Sequence, residues 1–193
     1  MQNTITLSMV GTAPLIMHNA QTADPLNHYA KAIKEITSKK TNKTEADEME
    51  LARIKFLAGL YFDDATGPYL PAANVFRCLI EAGAMTRDGK KIERGVNFTS
   101  DRSVLEYDGP RDLETLWGDG STKYVDRRLA AVNRVRIPVT RPIFPEWAAS
   151  FEIMVDDEVL DLSSFEDIAG KAGRAVGVGD YRRFYGKFSV EIS

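Results

Sequence analysis

The stretch SFEIMVDDEVLDLSSFEDIAGKAGRAVGVGDYRRFYGKFSVEI, residues 150–192, predicts a strand, a helix, a glycine-rich loop and a final strand. Apolar and polar residues alternate from Phe151 to Val155, a period of two that is typical of a half-buried strand. Ser163 and Glu166 have the spacing of a capping box and predict the start of a short helix. The closing KFSVEI alternates again, so a strand–helix–strand unit ends the stretch.

The preceding sequence begins with a predicted strand over 4–17, kinked at Gly11 and Pro14, and continues with helices over 28–36 and 44–60. A hairpin over 60–71, a helix after Pro71 and a strand over 133–144 are predicted to follow. Weak periodicity and many turn signals in 86–131 predict an inserted loop region or small subdomain. We therefore expect one α+β domain over 1–193, with a ferredoxin-like antiparallel sheet, helices on one face, and insertions at about 28–60 and 86–131.

The composition fits a globular protein: 44% of the 193 residues are hydrophobic and 27% are charged. No apolar run approaches the roughly 18–20 residues that span a bilayer, and the N-terminus lacks the pattern of a signal peptide. We therefore expect a cytoplasmic protein that makes no membrane contact. Cys78 is the single cysteine, which excludes an intrachain disulfide. The net charge of −3 argues against a dedicated duplex-DNA binder.

The glycine-rich loop leaves two interpretations open. A dinucleotide-binding glycine loop follows a strand and opens a helix, whereas this loop follows a helix and leads into a strand. Gly177 and Gly179 expose backbone N–H groups that suit a phosphate, or they supply the positive φ angles of a tight connection. The flanking cations that favour phosphate contact are Arg174, Arg182, Arg183 and Lys187.

A second basic segment runs from residue 127 to residue 145 and contains no acidic residue. Its arginines are Arg127, Arg128, Arg134, Arg136 and Arg141. Arg134 and Arg136 alternate with apolar residues, so they are predicted to share one strand face. They then either bind an anionic partner through bidentate contacts or form a solvated face paired with the carboxylates of 152–158.

No motif of an enzyme is present. The chain has two histidines, His18 and His28, and lacks the metal-protease and serine-hydrolase signatures. Asp24 lies in the loop after the first predicted strand but has no supporting pattern. We therefore predict no catalytic residue, no cofactor and no metal.

Three segments together resemble the RAMP superfamily, the RRM-like subunits of CRISPR effector complexes. GPYLPAANVFRCLIEAG (67–83) is similar to the family's strand that ends at Ile-Pro-Gly-Ser before a helix, although Ala72 and Ala73 replace Gly-Ser. RVRIPVTRPIFPEWAASFEIMV (134–155) resembles the paired strands before the last helix. AGRAVGVGDYRRFYGKFSVEI (172–192) resembles the terminal glycine loop and the strand that leaves it.

The resemblance implies an RRM-like fold that binds single-stranded nucleic acid, RNA more than DNA, without catalysis. It also implies a homo-oligomer or a subunit of a ribonucleoprotein complex, or a stand-alone phage or mobile-element relative. By position, the resemblance implies that the helix start and the glycine loop lie near the nucleic acid. It implies that 86–131 is a thumb-like insertion with the basic segment at its base. Tyrosines near the loop would then stack on bases. The implied contacts are Asn74, Arg77, Arg127, Arg128, Arg134, Arg136, Gly177, Gly179, Tyr181, Arg182, Arg183 and Lys187.

Other functions fit the same sequence. In a protein–protein assembly module, the arginines would pair with the acidic segment 156–161 of a neighbouring copy. A CRISPR-interfering protein would use the same fold without binding RNA. A metal-dependent ribonuclease would use Asp24 or His18.

Overall fold

The computed structural model describes residues 2–39, 43–132 and 135–193 and, for 130–132 and 135, the backbone alone. The strands are β1 (Gln2–Gly11), β2 (Leu15–Ile16), β3 (Phe62–Asp63), β4 (Gly67–Pro71), β5 (Val96–Phe98), β6 (Arg102–Val104), β7 (Val125–Val132), β8 (Val135–Phe144), β9 (Ala148–Asp156) and β10 (Phe188–Ile192). The helices are α1 (His28–Thr37), α2 (Glu45–Gly59), α3 (Ala72–Ala84), α4 (Gly89–Gly95), α5 (Leu113–Trp117) and α6 (Leu162–Lys171).

The central sheet has four antiparallel strands in the order β10-β1-β9-β5. Alternate residues of each strand are buried, as the period of two requires; Leu7 in β1 and Ile153 in β9 are almost inaccessible. Val75 of α3 and Phe165 of α6 belong to the same hydrophobic cluster as these residues. Helices and antiparallel strands thus share one core, which confirms the α+β class.

The opposite face of this sheet is polar and acidic. Thr4, Glu152 and Glu191 are exposed there, and Thr6 pairs directly with Glu152. The edge strand β5 lies inside 86–131, the segment whose weak periodicity predicted a loop region. This segment therefore contributes a strand to the central sheet.

The helical region and a long hairpin pack together beside the central sheet. α1 and α2 share a small cluster of their own around Ile36, Leu51 and Ile54. The side chain of Thr44 accepts a hydrogen bond from the Asp47 amide and starts α2 with a capping box. α2 packs against β8, which pairs with β7 as an antiparallel hairpin.

The predicted start of α6 is wrong by two residues. The N-cap is Asp161, whose carboxylate accepts a hydrogen bond from the Ser164 amide at 2.9 Å, and not Ser163. An aspartate satisfies the free N–H groups of the first turn as well as a serine does. After Lys171 the chain makes a π-helical turn, Ala172–Val176, and enters the glycine loop at Gly177.

Among the described residues, none of the helices is both long and apolar enough to cross a membrane.

Candidate functional site

A cleft of about 300 Å³ separates the start of α3 from the glycine loop, residues 177–187. Asn74 and Arg77 line it from the first turns of the helix. Gly179, Tyr181 and Arg182 line it from the loop. The fold thus brings together two groups of predicted contact residues that lie about 100 positions apart in the sequence.

Two guanidinium groups share one carboxylate at this cleft. Arg77 donates to Glu81 at 3.1 Å and Arg182 donates to the same carboxylate at 3.0 Å. Burial by itself raises the pKa of Glu81, but hydrogen bonds from Arg182 and Arg77 outweigh it and hold the pKa below its ordinary value. Two positive charges face one negative charge, so the trio keeps a net positive charge at neutral pH.

The polar floor of the cleft consists of His18 and Tyr61. His18 is exposed in the segment after β2, and the Tyr61 hydroxyl donates to its backbone carbonyl at 3.5 Å. The half-buried Asn74 side chain has no hydrogen-bond partner among the residues that the structure describes. Polar side chains that can donate or accept hydrogen bonds therefore lie beside the positive charge, together with the carboxylate of Asp180.

Aromatic rings are exposed where the loop leaves the cleft. The exposed fractions of Tyr181 and Phe184 are 48% and 59%, and their ring centroids are 5.5 Å apart. Tyr181 also stacks on Tyr185, with centroids 5.7 Å apart and an angle of 26° between the planes. The guanidinium of Arg183 lies over the Phe184 ring at 5.8 Å from its centroid. Exposed rings beside cations are the surfaces on which unpaired bases stack.

Packing within the fold accounts for the loop glycines. Gly177, Gly179 and Gly186 have φ angles of +81°, +78° and +64°, in the left-handed region that favours glycine. A Cβ atom on Gly179 would overlap the carbonyl oxygen of Ile16. Of the two interpretations of these glycines, the structure therefore supports the tight connection.

Hydrogen bonds to the rest of the fold occupy much of the loop's backbone. The Gly177 amide donates to the carbonyl of Ala172, the Asp180 amide to that of Ile16, and the Gly186 amide to that of Pro14, each at 2.8 Å. These N–H groups are engaged within the protein and do not point as free donors towards a phosphate.

An ionic network ties the β7–β8 hairpin to the loop. Arg141 is 7% exposed and donates to Asp126 at 3.0 Å and to Asp180 at 2.7 Å. Arg128 donates to Asp126 at 2.6 Å and to the Tyr185 hydroxyl at 2.6 Å. Arg128 was predicted to contact a phosphate, but its guanidinium already donates hydrogen bonds to acceptors within the protein.

Sequence reasoning did not assign roles to Asp126, Arg141 and Asp180 at this site. Asp126 and Arg141 are cross-strand partners in the β7–β8 hairpin and therefore lie on one face. The sequence contains the aspartate and the arginine of this pair, but the pairing can be predicted only when the register of the two strands is known.

The remaining predicted cations lie in different surroundings. Lys187 donates to the carbonyls of Ala175 at 2.8 Å and Val176 at 3.0 Å, and burial lowers its pKa. Arg127 and Arg136 are exposed, and the hairpin register places them on the side of the strands opposite Arg128. Arg134 lies outside the described residues.

No group of three or more histidine, cysteine, aspartate or glutamate side chains within the described ranges is arranged to hold a metal ion.

Comparisons with known proteins find matches among solved structures at low sequence identity. No family model matches the chain, and no curated protein matches it in sequence. A chain of the "Type III-B Cmr-beta bound to cognate target RNA", solved by cryo-EM, is 14% identical with a TM-score of 0.49. The match covers 100% of the present chain but 60% of that one. Cmr6 from Pyrococcus furiosus is 13% identical with a TM-score of 0.39, and 99% of each chain is covered.

Proposed function

We propose that this chain is a RAMP-like, non-catalytic protein that binds single-stranded nucleic acid, RNA in preference to DNA, in the cleft between α3 and the glycine loop. The observation that carries the proposal is the meeting of Arg77 and Arg182 with an exposed tyrosine, Tyr181, in one cleft. Phosphate contact by arginine and stacking on an aromatic ring are the two elements of sequence-independent single-strand binding.

The ferredoxin-like, RRM-like arrangement forms part of this proposal. The strand order β10-β1-β9-β5, with α3 between β1 and β5 and α6 between β9 and β10, is that of a split β-α-β unit. We further propose that the chain acts as a subunit of a CRISPR-related ribonucleoprotein complex. Sedimentation of the protein with RNAs of increasing length would reveal whether copies add along the strand.

The preference for RNA rests on the neutral groups of the cleft. A 2′-hydroxyl both donates and accepts hydrogen bonds, and it distinguishes RNA from DNA at a given position. Asn74 has an amide with both capacities and no partner among the described side chains and backbone groups. Asn74→Ala should therefore reduce the ratio of oligouridine to oligodeoxyuridine affinity.

Fluorescence anisotropy with labelled oligouridine tests the proposal. Two phosphate contacts in the cleft give a slope of log affinity against log salt of about −1.4 for a single strand. Replacing both Arg77 and Arg182 by alanine should weaken binding by about 10- to 100-fold, since a hydrogen bond contributes about 1 kcal/mol net in a solvent-accessible cleft. The control is Arg94→Ala, which removes an exposed arginine of α4 outside the cleft.

Two results would refute this function. One is a folded wild-type protein that binds neither oligouridine nor oligodeoxyuridine at low salt. The other is a double arginine variant that binds as tightly as the Arg94→Ala control.

A further inference from the structure

Two more depressions continue the cleft towards the helical region. A second one, of about 210 Å³, shares His18 with the first. A third, narrow crevice between α2 and the β7–β8 hairpin shares Lys55 and Thr140 with the second. The shared residues place the three depressions side by side, in a row that runs from Arg77 and Arg182, past His18, to the hairpin. We call this row of depressions the groove.

Two cations without partners lie along the far part of this groove. Lys55 is half-buried, and Arg127 is exposed at the edge of the crevice. Neither side chain has an ion pair or hydrogen bond with any residue in the described ranges, whereas Arg128 and Arg141 on the other face of the hairpin form ion pairs with Asp126. One acid, Glu48, also borders the crevice, and its carboxylate lies 3.9 Å from Lys43. Cations therefore outnumber acids at this end of the groove, as they do in the trio of Arg77, Glu81 and Arg182 at the other end.

Rigid elements form the walls of the groove. α2 packs directly on β8, and the capping box at Thr44 fixes the start of the helix. Lys55 therefore projects from a fixed helix, and Ile33 and Ala58 supply small apolar walls beside it. Alternating cations and apolar walls suit a strand whose phosphates and bases alternate.

We infer that a single strand bound in the cleft continues past His18 and lies over the narrow crevice between α2 and the β7–β8 hairpin, where Lys55 and Arg127 contact the phosphates of the following nucleotides. This inference rests on the proposed function and extends it. It gives a binding role to the helical region over 28–60, for which the sequence predicted no contact residue. The path also leaves the acidic face of the central sheet unoccupied.

Two lengths of labelled oligouridine separate this inference from the proposed function. An RNA of about 4 nucleotides should fill the first cleft alone, whereas one of about 12 should also occupy the groove. The double variant Lys55→Ala/Arg127→Ala should bind the long RNA about tenfold more weakly. Its salt slope should be shallower by about 1.4, which corresponds to two lost phosphate contacts. The short RNA should bind to it as to wild type, and Arg94→Ala should match wild type with both RNAs.

Three results would overturn the inference. The first is equal affinity and equal salt slope of wild type for both lengths, and the second is a double variant that matches Arg94→Ala on the long RNA. The third is that polyglutamate binds as tightly as RNA and that the double variant loses affinity for both to the same extent. This result would assign the groove to an acidic protein partner. In each of these cases the cleft still binds the short RNA, whereas failure of the proposed function abolishes binding of both. Circular dichroism and thermal unfolding confirm that each variant is folded.

Discussion

Gly186→Ala tests whether the glycine loop is built for packing. Gly186 is buried with a φ angle of +64°, and its amide donates to the Pro14 carbonyl at 2.8 Å. A Cβ atom there would overlap the carbonyl oxygen of Val178, a backbone atom that cannot rotate away. The left-handed conformation costs an alanine about 1–2 kcal/mol, and relieving the overlap costs about 1–3 kcal/mol more. We therefore expect the free energy of unfolding to fall by about 2–5 kcal/mol.

Urea unfolding followed by tryptophan fluorescence measures this change. Gly170→Ala is the matched control, since Gly170 lies in α6 and its Cβ atom would meet only the mobile guanidinium of Arg174, at 3.1 Å. In a helix this substitution stabilises by about 0.5–1 kcal/mol. If Gly186→Ala kept wild-type stability and lost affinity for oligouridine, the packing role would be refuted and the glycine would serve the ligand.

The other predictions concern single groups around the cleft. Arg141→Met leaves the buried carboxylate of Asp126 with one partner fewer and should lower the free energy of unfolding by about 3 kcal/mol; an unchanged urea midpoint would contradict this. Burial raises the pKa of Asp180, but the hydrogen bond from Arg141 and the Tyr181 amide hold it below its ordinary value of 3.8. The Asp180 contribution to stability is therefore present above that value and is lost as the pH falls through the lowered pKa, and Arg141→Met should flatten this acid dependence. Tyr181→Ala should weaken oligouridine binding by about 1–3 kcal/mol without changing the salt slope, and an unaltered affinity would exclude stacking there. Burial raises the pKa of the Cys78 thiol to about 12, so a thiol reagent should label it only after unfolding; rapid labelling of the native protein would contradict the buried position.

Strong periodicity and clear turn chemistry allowed most of the fold to be predicted. The alternation in β9, the helix that starts at Thr44 and the turn between β3 and β4 all appear where the sequence placed them. β5 was missed because three residues, Val96–Phe98, are too few to show a period, and its place in the sheet depends on pairing with β9. The cap at Asp161 was misplaced because several residues in that turn are competent caps.

The candidate site was predictable in its parts but not in its assembly. The helix start and the glycine loop were each identified from local residues and a resemblance, yet only the fold shows that they face each other. The network of Arg141, Asp126 and Asp180 depends on the hairpin register, which no local pattern specifies. Lys55 was not predicted because a lysine in a charged helix carries no sign of the groove that it borders.

The arginines differ in whether they form ion pairs within the protein, and this difference says more about ligand binding than the number of arginines does. Arg128 and Arg141 hold the hairpin against the loop, so their charge is largely neutralised by Asp126 and Asp180. The exposed face of the central sheet carries Glu152 and repels a polyanion. The proposed nucleic-acid strand would be confined to surfaces where guanidinium and ammonium groups outnumber carboxylates. Within the described residues, Arg77 with Arg182 at the α3 cleft and Lys55 with Arg127 at the crevice meet that condition, and so an overall net charge of −3 is compatible with local binding of a phosphate backbone.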